Sequence, residues 1–143
     1  MAVSAENRVA QVIVDACFRI HLRLGPGLLE SVYEIILARE LARRGLRVQR
    51  QVTVPIVWEG IEFKEGFRAD LIVADRVVVE IKCVEKTNGT HAKQLLTYLR
   101  FANKRLGLLV NFNAARIKDG IRRVVNGLEE NPLGTGTRAG RGQ

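Results

Sequence analysis

The residues with the clearest capacity for chemistry lie in the run Val77-Val78-Val79-Glu80-Ile81-Lys82-Cys83. Side chains of a strand alternate between faces, so Glu80 and Lys82 share one face and Val77, Val79, Ile81 and Cys83 share the other. Two opposite charges thus stand in an otherwise apolar strand, where burial is costly unless the charge is paired or bound to a metal. The bland alternative is a Glu–Lys pair on a solvent-facing edge. Asp70 adds a second carboxylate. It opens the preceding strand segment Asp70-Leu71-Ile72-Val73, ten residues before Glu80. In a hairpin the two carboxylates face each other only if an odd number of residues, such as Ala74-Asp75-Arg76, forms the connection. A two-residue turn would pair Asp70 with Val79 and split the acids between faces. With the three-residue connection, two carboxylates and an ammonium converge. Hard oxygen ligands with open positions suit Mg²⁺ or Mn²⁺, and a nearby Lys can orient water or offset developing negative charge.

Other candidate chemistry is thin. His21 and His91, the two histidines, have no partners at zinc-ligand spacing. Cys17 and Cys83 form no C-x-x-C pair and read as two buried free thiols of a reducing cytosol. Gly25-Pro26-Gly27 lacks the Gly-Lys-Ser/Thr ending of a phosphate loop.

The elements that must position these groups follow from periodicity. Apolar residues from Val9 to Ile20 recur at three- and four-residue steps and predict a helix over Ala5 to Leu24, stopped by Gly25-Pro26-Gly27. A second helix is expected from Leu28 to Arg44, ending at Gly45, with an apolar face broad enough to be buried on most sides. Strand segments follow at Val48–Val57, Ile61–Phe67, Arg68–Val73 and Val77–Cys83, with Pro55 marking an edge or a bulge. Thr90 is the expected cap of a third helix reaching about Arg105. Gly107–Val110 is a short buried strand, and Ile121–Val125 is an element of undetermined type. This order gives an α/β fold, a mixed sheet with helices on both faces. Residues 1–128 read as one domain, and 129–143, without apolar period, as a disordered C-terminal tail.

The chain has 143 residues, 23 Lys and Arg against 15 Asp and Glu, and a formal charge of +8. That length supports a full core without staples. The excess charge favours an anionic partner. Arg39, Arg43, Arg44, Arg47 and Arg50 form one basic cluster, and Lys104, Arg105, Arg116, Lys118, Arg122 and Arg123 another, so contact with a phosphate backbone is plausible. Few aromatics argue against a base-stacking platform. No apolar run is long enough to span a membrane and no signal peptide is evident, so a cytoplasmic protein is expected.

Asp70 followed by Glu80-Ile81-Lys82 resembles the core motif of the PD-(D/E)XK nuclease superfamily. The order helix, three strands, helix, strand is similar to its restriction-endonuclease-like core (α-β-β-β-α-β), here with an extra N-terminal helix. Gly27-Leu28-Leu29-Glu30-Ser31-Val32-Tyr33 resembles the signature of the GxxExxY branch, and Gln94-x-x-x-Tyr98 resembles the motif of another branch of the superfamily, the exonucleases linked to recombination helicases. The resemblance implies a divalent-metal-dependent nuclease acting on nucleic acid, with DNA the expected substrate. It implies that Asp70 and Glu80 bind Mg²⁺ or Mn²⁺ with the Ile81 carbonyl, that Lys82 positions the water, and that Glu30 completes the site. Gln94, Tyr98, Tyr33 and Arg68 would contact substrate. Ala69 stands where many members have Pro. From the residues alone, Glu30 reads as a surface Glu near a helix N-terminus, Gln94 and Tyr98 as a solvated Gln beside a half-buried Tyr, and Tyr33 as core filling. A non-catalytic nucleic-acid-binding or protein-interaction module on the same fold is the rival reading. Oligomeric state is open, a homodimer included.

Overall fold

A computed structural model describes residues 3–128; the tail expected at 129–143 lies outside the described residues. Helix α1 spans Ala5–Leu24. The Ser4 hydroxyl accepts from the Asn7 N–H at 3.1 Å, and Gly25, at φ +67°, donates its N–H to the His21 carbonyl at 2.8 Å. These contacts satisfy groups that a helix end leaves unpaired. Helix α2 spans Glu30–Arg43. Its end is a Schellman arrangement: Leu46 N–H reaches Leu41 O and Gly45 N–H reaches Ala42 O, with Gly45 at φ +91°.

Strands β1 (Val48–Trp58) and β2 (Ile61–Val73) form a long hairpin, and β3 (Val77–Lys82) follows antiparallel to β2. The two segments expected at 61–67 and 68–73 are one continuous strand. Helix α3 (Gly89–Ala102) crosses over to β4 (Leu106–Asn111), which lies parallel to β3. A single turn, α4 (Ile117–Gly120), leads into β5 (Ile121–Val125), antiparallel to β4. The element left untyped is therefore an edge strand. The sheet order is β1-β2-β3-β4-β5. This is an α/β fold with a mixed sheet flanked by helices, consistent with the restriction-endonuclease-like architecture. Pro55 falls where the ladder shifts, between Val54 and Ile56 on edge strand β1, because it has no N–H to give a partner.

The sheet is covered on both faces. Helices α1 and α2 pack with Leu71, Val73, Val79 and Ile81 on one side; α3 packs with Phe67, Ile72, Val78 and Leu109 on the other. Central strands buried on both faces need nearly continuous apolar sequence, and β3 and β4 have it. Buried Glu80 and, at the partly exposed end, Lys82 are the exceptions in β3. Two expectations need correction. Asn88, not Thr90, caps α3: its side chain accepts from the Thr90 and His91 N–H groups, while His91 Nδ1 accepts from the Asn88 N–H. Helix α2 is not buried on most sides, because it packs along one face only; Val32 and Ile35 are exposed, and Leu29, just before the helix, is 73% exposed.

Candidate active site

Leu71 pairs with Val79, Ile72 with Val78 and Val73 with Val77, so Ala74-Asp75-Arg76 is the three-residue connection and Asp70 comes level with Glu80. Ala74 and Asp75 both take φ +53°, left-handed conformations that turn the chain within this short link. The acids are in direct contact with each other's strand. The Asp70 N–H donates to Glu80 Oε1 at 3.3 Å, and the Ile81 N–H donates to Asp70 Oδ2 at 2.8 Å. Glu80 is only 7% exposed. Burial, and then the neighbouring Asp70 charge, push its carboxyl up to about 8, with Lys82 pulling weakly the other way. Like-charged carboxylates sharing a buried corner resist ionising together, and a cation between them would relieve that repulsion.

Glu30 enters from the first turn of α2. Its carboxyl is raised by desolvation and by Asp70, and is held down by Lys82 and by the backbone N–H of Cys83. Glu30 and Asp70 line one groove of about 530 Å³ together with Leu29, Ser31, Glu34, Gln51 and Arg68. The structure thus brings Glu30, Asp70, Glu80 and Lys82 within electrostatic reach of one another. Among the described residues, no three His, Cys, Asp or Glu side chains stand close enough together to form a ready ion cage. The donor set nevertheless fits a hard cation of the Mg²⁺ or Mn²⁺ type: carboxylate oxygens alone, two of them meeting across a β-ladder, and an acid whose burial opposes its own charge.

Helix α3 lies over the same face. The Tyr98 ring stacks on Phe67 with centroids 4.0 Å apart, and its hydroxyl is raised by desolvation, then by Glu80 and Asp70, with Gln94 hydrogen-bonding to it. Gln94 and Tyr98 therefore stand at the margin of the carboxylate corner. Tyr33 does not. It is fully buried, its ring stacks on Phe112, its hydroxyl donates to the Gly25 carbonyl at 2.5 Å, and it accepts from the Leu28 N–H at 3.3 Å. The substrate contact expected of Tyr33 is corrected: both of its hydroxyl partners belong to the loop that delivers Glu30.

Three site features escaped sequence reading. Buried Asn111 accepts from the Val84 and Asn113 N–H groups and donates to the Val84 carbonyl, so it pins the segment just past Lys82. Glu34, 5% exposed, binds both Arg50 and Gln51. Its i+4 spacing from Glu30 was the available signal. The third is a twist of the hairpin. Val48, Leu71 and Val73 pack on the α1/α2 side, whereas Val52, Val54, Phe67 and Ala69 pack on the α3 side. Residues an even number apart should share a face. The two strands exchange faces together at the level of Gln51 and Asp70, where the ladder steps from Arg50–Leu71 to Val52–Ala69. Asp70 is thus at a mid-strand irregularity, not at a strand start.

The basic clusters are less available than their composition suggests. Arg44 bridges Asp15 and Glu40, Arg43 bonds Glu40, and Lys104 bonds Asp75. Arg123 is buried, with Nη1 donating to Asn7 Oδ1. Arg68 remains exposed on the groove wall. No helix among the described residues is long and apolar enough to cross a membrane.

No curated protein and no solved structure matches this chain. A family model does, over residues 7–124, which include Glu30, the Asp70–Glu80 pair and Lys82. On that match and the fold that accompanies it, the chain belongs to the PD-(D/E)XK nuclease superfamily.

Proposed function

We propose that this protein is a divalent-metal-dependent nuclease that hydrolyses phosphodiester bonds of nucleic acid, DNA in preference to RNA, and that it belongs to the GxxExxY branch. The observation that carries the proposal is the meeting of Asp70 and Glu80 across the β2–β3 ladder. A divalent cation held by these carboxylates, with Glu30 and the Ile81 carbonyl in support, would polarise the scissile phosphate and lower the pKa of a water. Lys82, two residues along the face from Glu80, orients that water and offsets charge gathering on the phosphate. Glu30 anchors the α2 side of the groove. Tyr98 and Gln94 bear on the α3 side, and Arg68 offers its guanidinium to the backbone of the bound strand. The family match supports a nucleic-acid substrate; the net charge of +8 is consistent with one.

The test is cleavage of plasmid and of labelled oligonucleotides with Mg²⁺ or Mn²⁺, using wild type and the Asp70→Ala, Glu80→Ala and Lys82→Ala variants. Loss in all three variants with retained folding supports the proposal. Equal cleavage by all four proteins would assign the activity to a contaminant.

A further inference from the structure

The hairpin twist beside Asp70 has a specific architecture. Arg50 and Gln51 are adjacent in β1, and adjacent strand residues point to opposite faces. Here both reach the same carboxylate. Arg50 Nε and Nη2 donate to Glu34 Oε2 at 3.1 and 2.9 Å, and Gln51 Nε2 donates to Glu34 Oε1 at 2.5 Å. What makes this possible is the left-handed backbone of Gln51, φ +52°, a conformation that costs a non-glycine side chain energy. The same backbone turns the core side chains of β1 from the α1/α2 side at Val48 to the α3 side at Val52 and Val54, and it leaves Gln51 itself exposed. The side chain it delivers lines the groove shared with Glu30, Arg68 and Asp70.

We infer that Gln51 is a substrate-contacting residue of this groove, and that Glu34 is the positioning residue that fixes it and Arg50. The inference rests on the nuclease reading and adds a recognition element to it. The Glu34 oxygen supplies lone pairs, so the amide nitrogen faces inward and the amide oxygen is presented as an acceptor. A phosphate diester carries no hydrogen at neutral pH and cannot satisfy that acceptor. Arg50 and Arg68 suit phosphate; Gln51 suits an N–H of a base edge or a ribose hydroxyl next to the scissile phosphate. It therefore discriminates among nucleotides, whereas the arginines bind all of them. The buried anchor keeps the amide from rotating, so little entropy is lost when substrate binds.

Gln51→Gly is the discriminating variant, because glycine accepts a left-handed φ freely. Its Tm should stay close to that of wild type, relief of the left-handed backbone offsetting the lost hydrogen bond to Glu34, while kcat/KM falls about tenfold, the scale of one hydrogen bond to substrate. Glu34→Gln should show a rise in KM on the same substrates. Matched DNA, RNA and abasic oligonucleotides separate the donors: the wild-type advantage over Gln51→Gly should vanish on whichever substrate lacks the contacted group. Oligonucleotide binding followed by fluorescence anisotropy with Ca²⁺ provides a readout independent of cleavage. If wild type binds but does not cleave, the nuclease reading fails while a weaker-binding Gln51→Gly still supports the contact. Gln51→Gly with wild-type binding and cleavage, or a wild type that binds none of these strands, overturns the inference.

Discussion

Replacing Glu80 by Gln should make the metal-free protein more stable while destroying its function. The carboxyl is raised from 4.5 to about 8 by burial and by Asp70. Between those values the unfolded chain has released the proton that the folded chain still holds, so stability declines as pH rises. The cost is absent below the unfolded value, grows across the interval and is complete above about 8. At 1.36 kcal/mol per unit, the full shift corresponds to roughly 5 kcal/mol as a ceiling. Relaxation around the buried charge reduces it to about 2–4 kcal/mol. Gln carries no charge, and its amide can donate to Asp70 as the protonated acid does. Chemical denaturation of both proteins in EDTA, from about pH 5 to pH 9, should show equal stability at the acidic end and a growing advantage for Glu80→Gln. Mn²⁺ should reverse the order at high pH, since only the wild type gains binding energy; at a thousandfold excess over Kd that gain is about 4.1 kcal/mol. A Glu80→Gln advantage that does not change with pH, or no advantage at all, refutes the assignment of a strained, cation-dependent carboxylate.

Tyr33→Phe removes both hydroxyl contacts to the loop ahead of Glu30 and should cost about 1–3 kcal/mol by urea denaturation. Asn111→Ala strands the Val84 backbone and should cost about 2–3 kcal/mol, with reduced cleavage because the end of β3 loosens. Arg68→Ala should weaken binding similarly across sequences and lower the slope of log K against log salt by about 1. In the native protein Cys83 should react with a thiol reagent while Cys17 does not, because burial pushes the Cys17 thiol up to about 12.

The meeting of the carboxylates was legible in the sequence because strand parity is a strong constraint: once Ala74-Asp75-Arg76 is taken as the connection, the level of Asp70 with Glu80 follows arithmetically. The α1 boundaries were equally legible, since Gly25 ends the apolar period. What sequence patterns miss is where the period itself breaks. The face exchange at Gln51 and Asp70 is encoded by a left-handed residue that is neither Gly nor Asn, and so leaves no compositional mark. For Tyr33 the residues and the family resemblance pointed different ways: the residues read as core filling, which its burial matches, while the substrate contact came from the resemblance; its hydroxyl meets the loop carbonyl of Gly25, eight residues back, a partner that no periodicity indicates. Some partners of the basic clusters are remote in sequence, as Asp15 is from Arg44 and Asp75 from Lys104, whereas Glu40 stands at helical spacing from Arg43 and Arg44 and was a legible partner.

The most direct test of the central claim is to locate a bound cation by anomalous scattering from crystals grown with Mn²⁺. The account predicts a peak in contact with the carboxylates of Asp70 and Glu80, on the groove side facing Glu30 and Lys82. Ordered Mn²⁺ elsewhere with none between these two acids would contradict it.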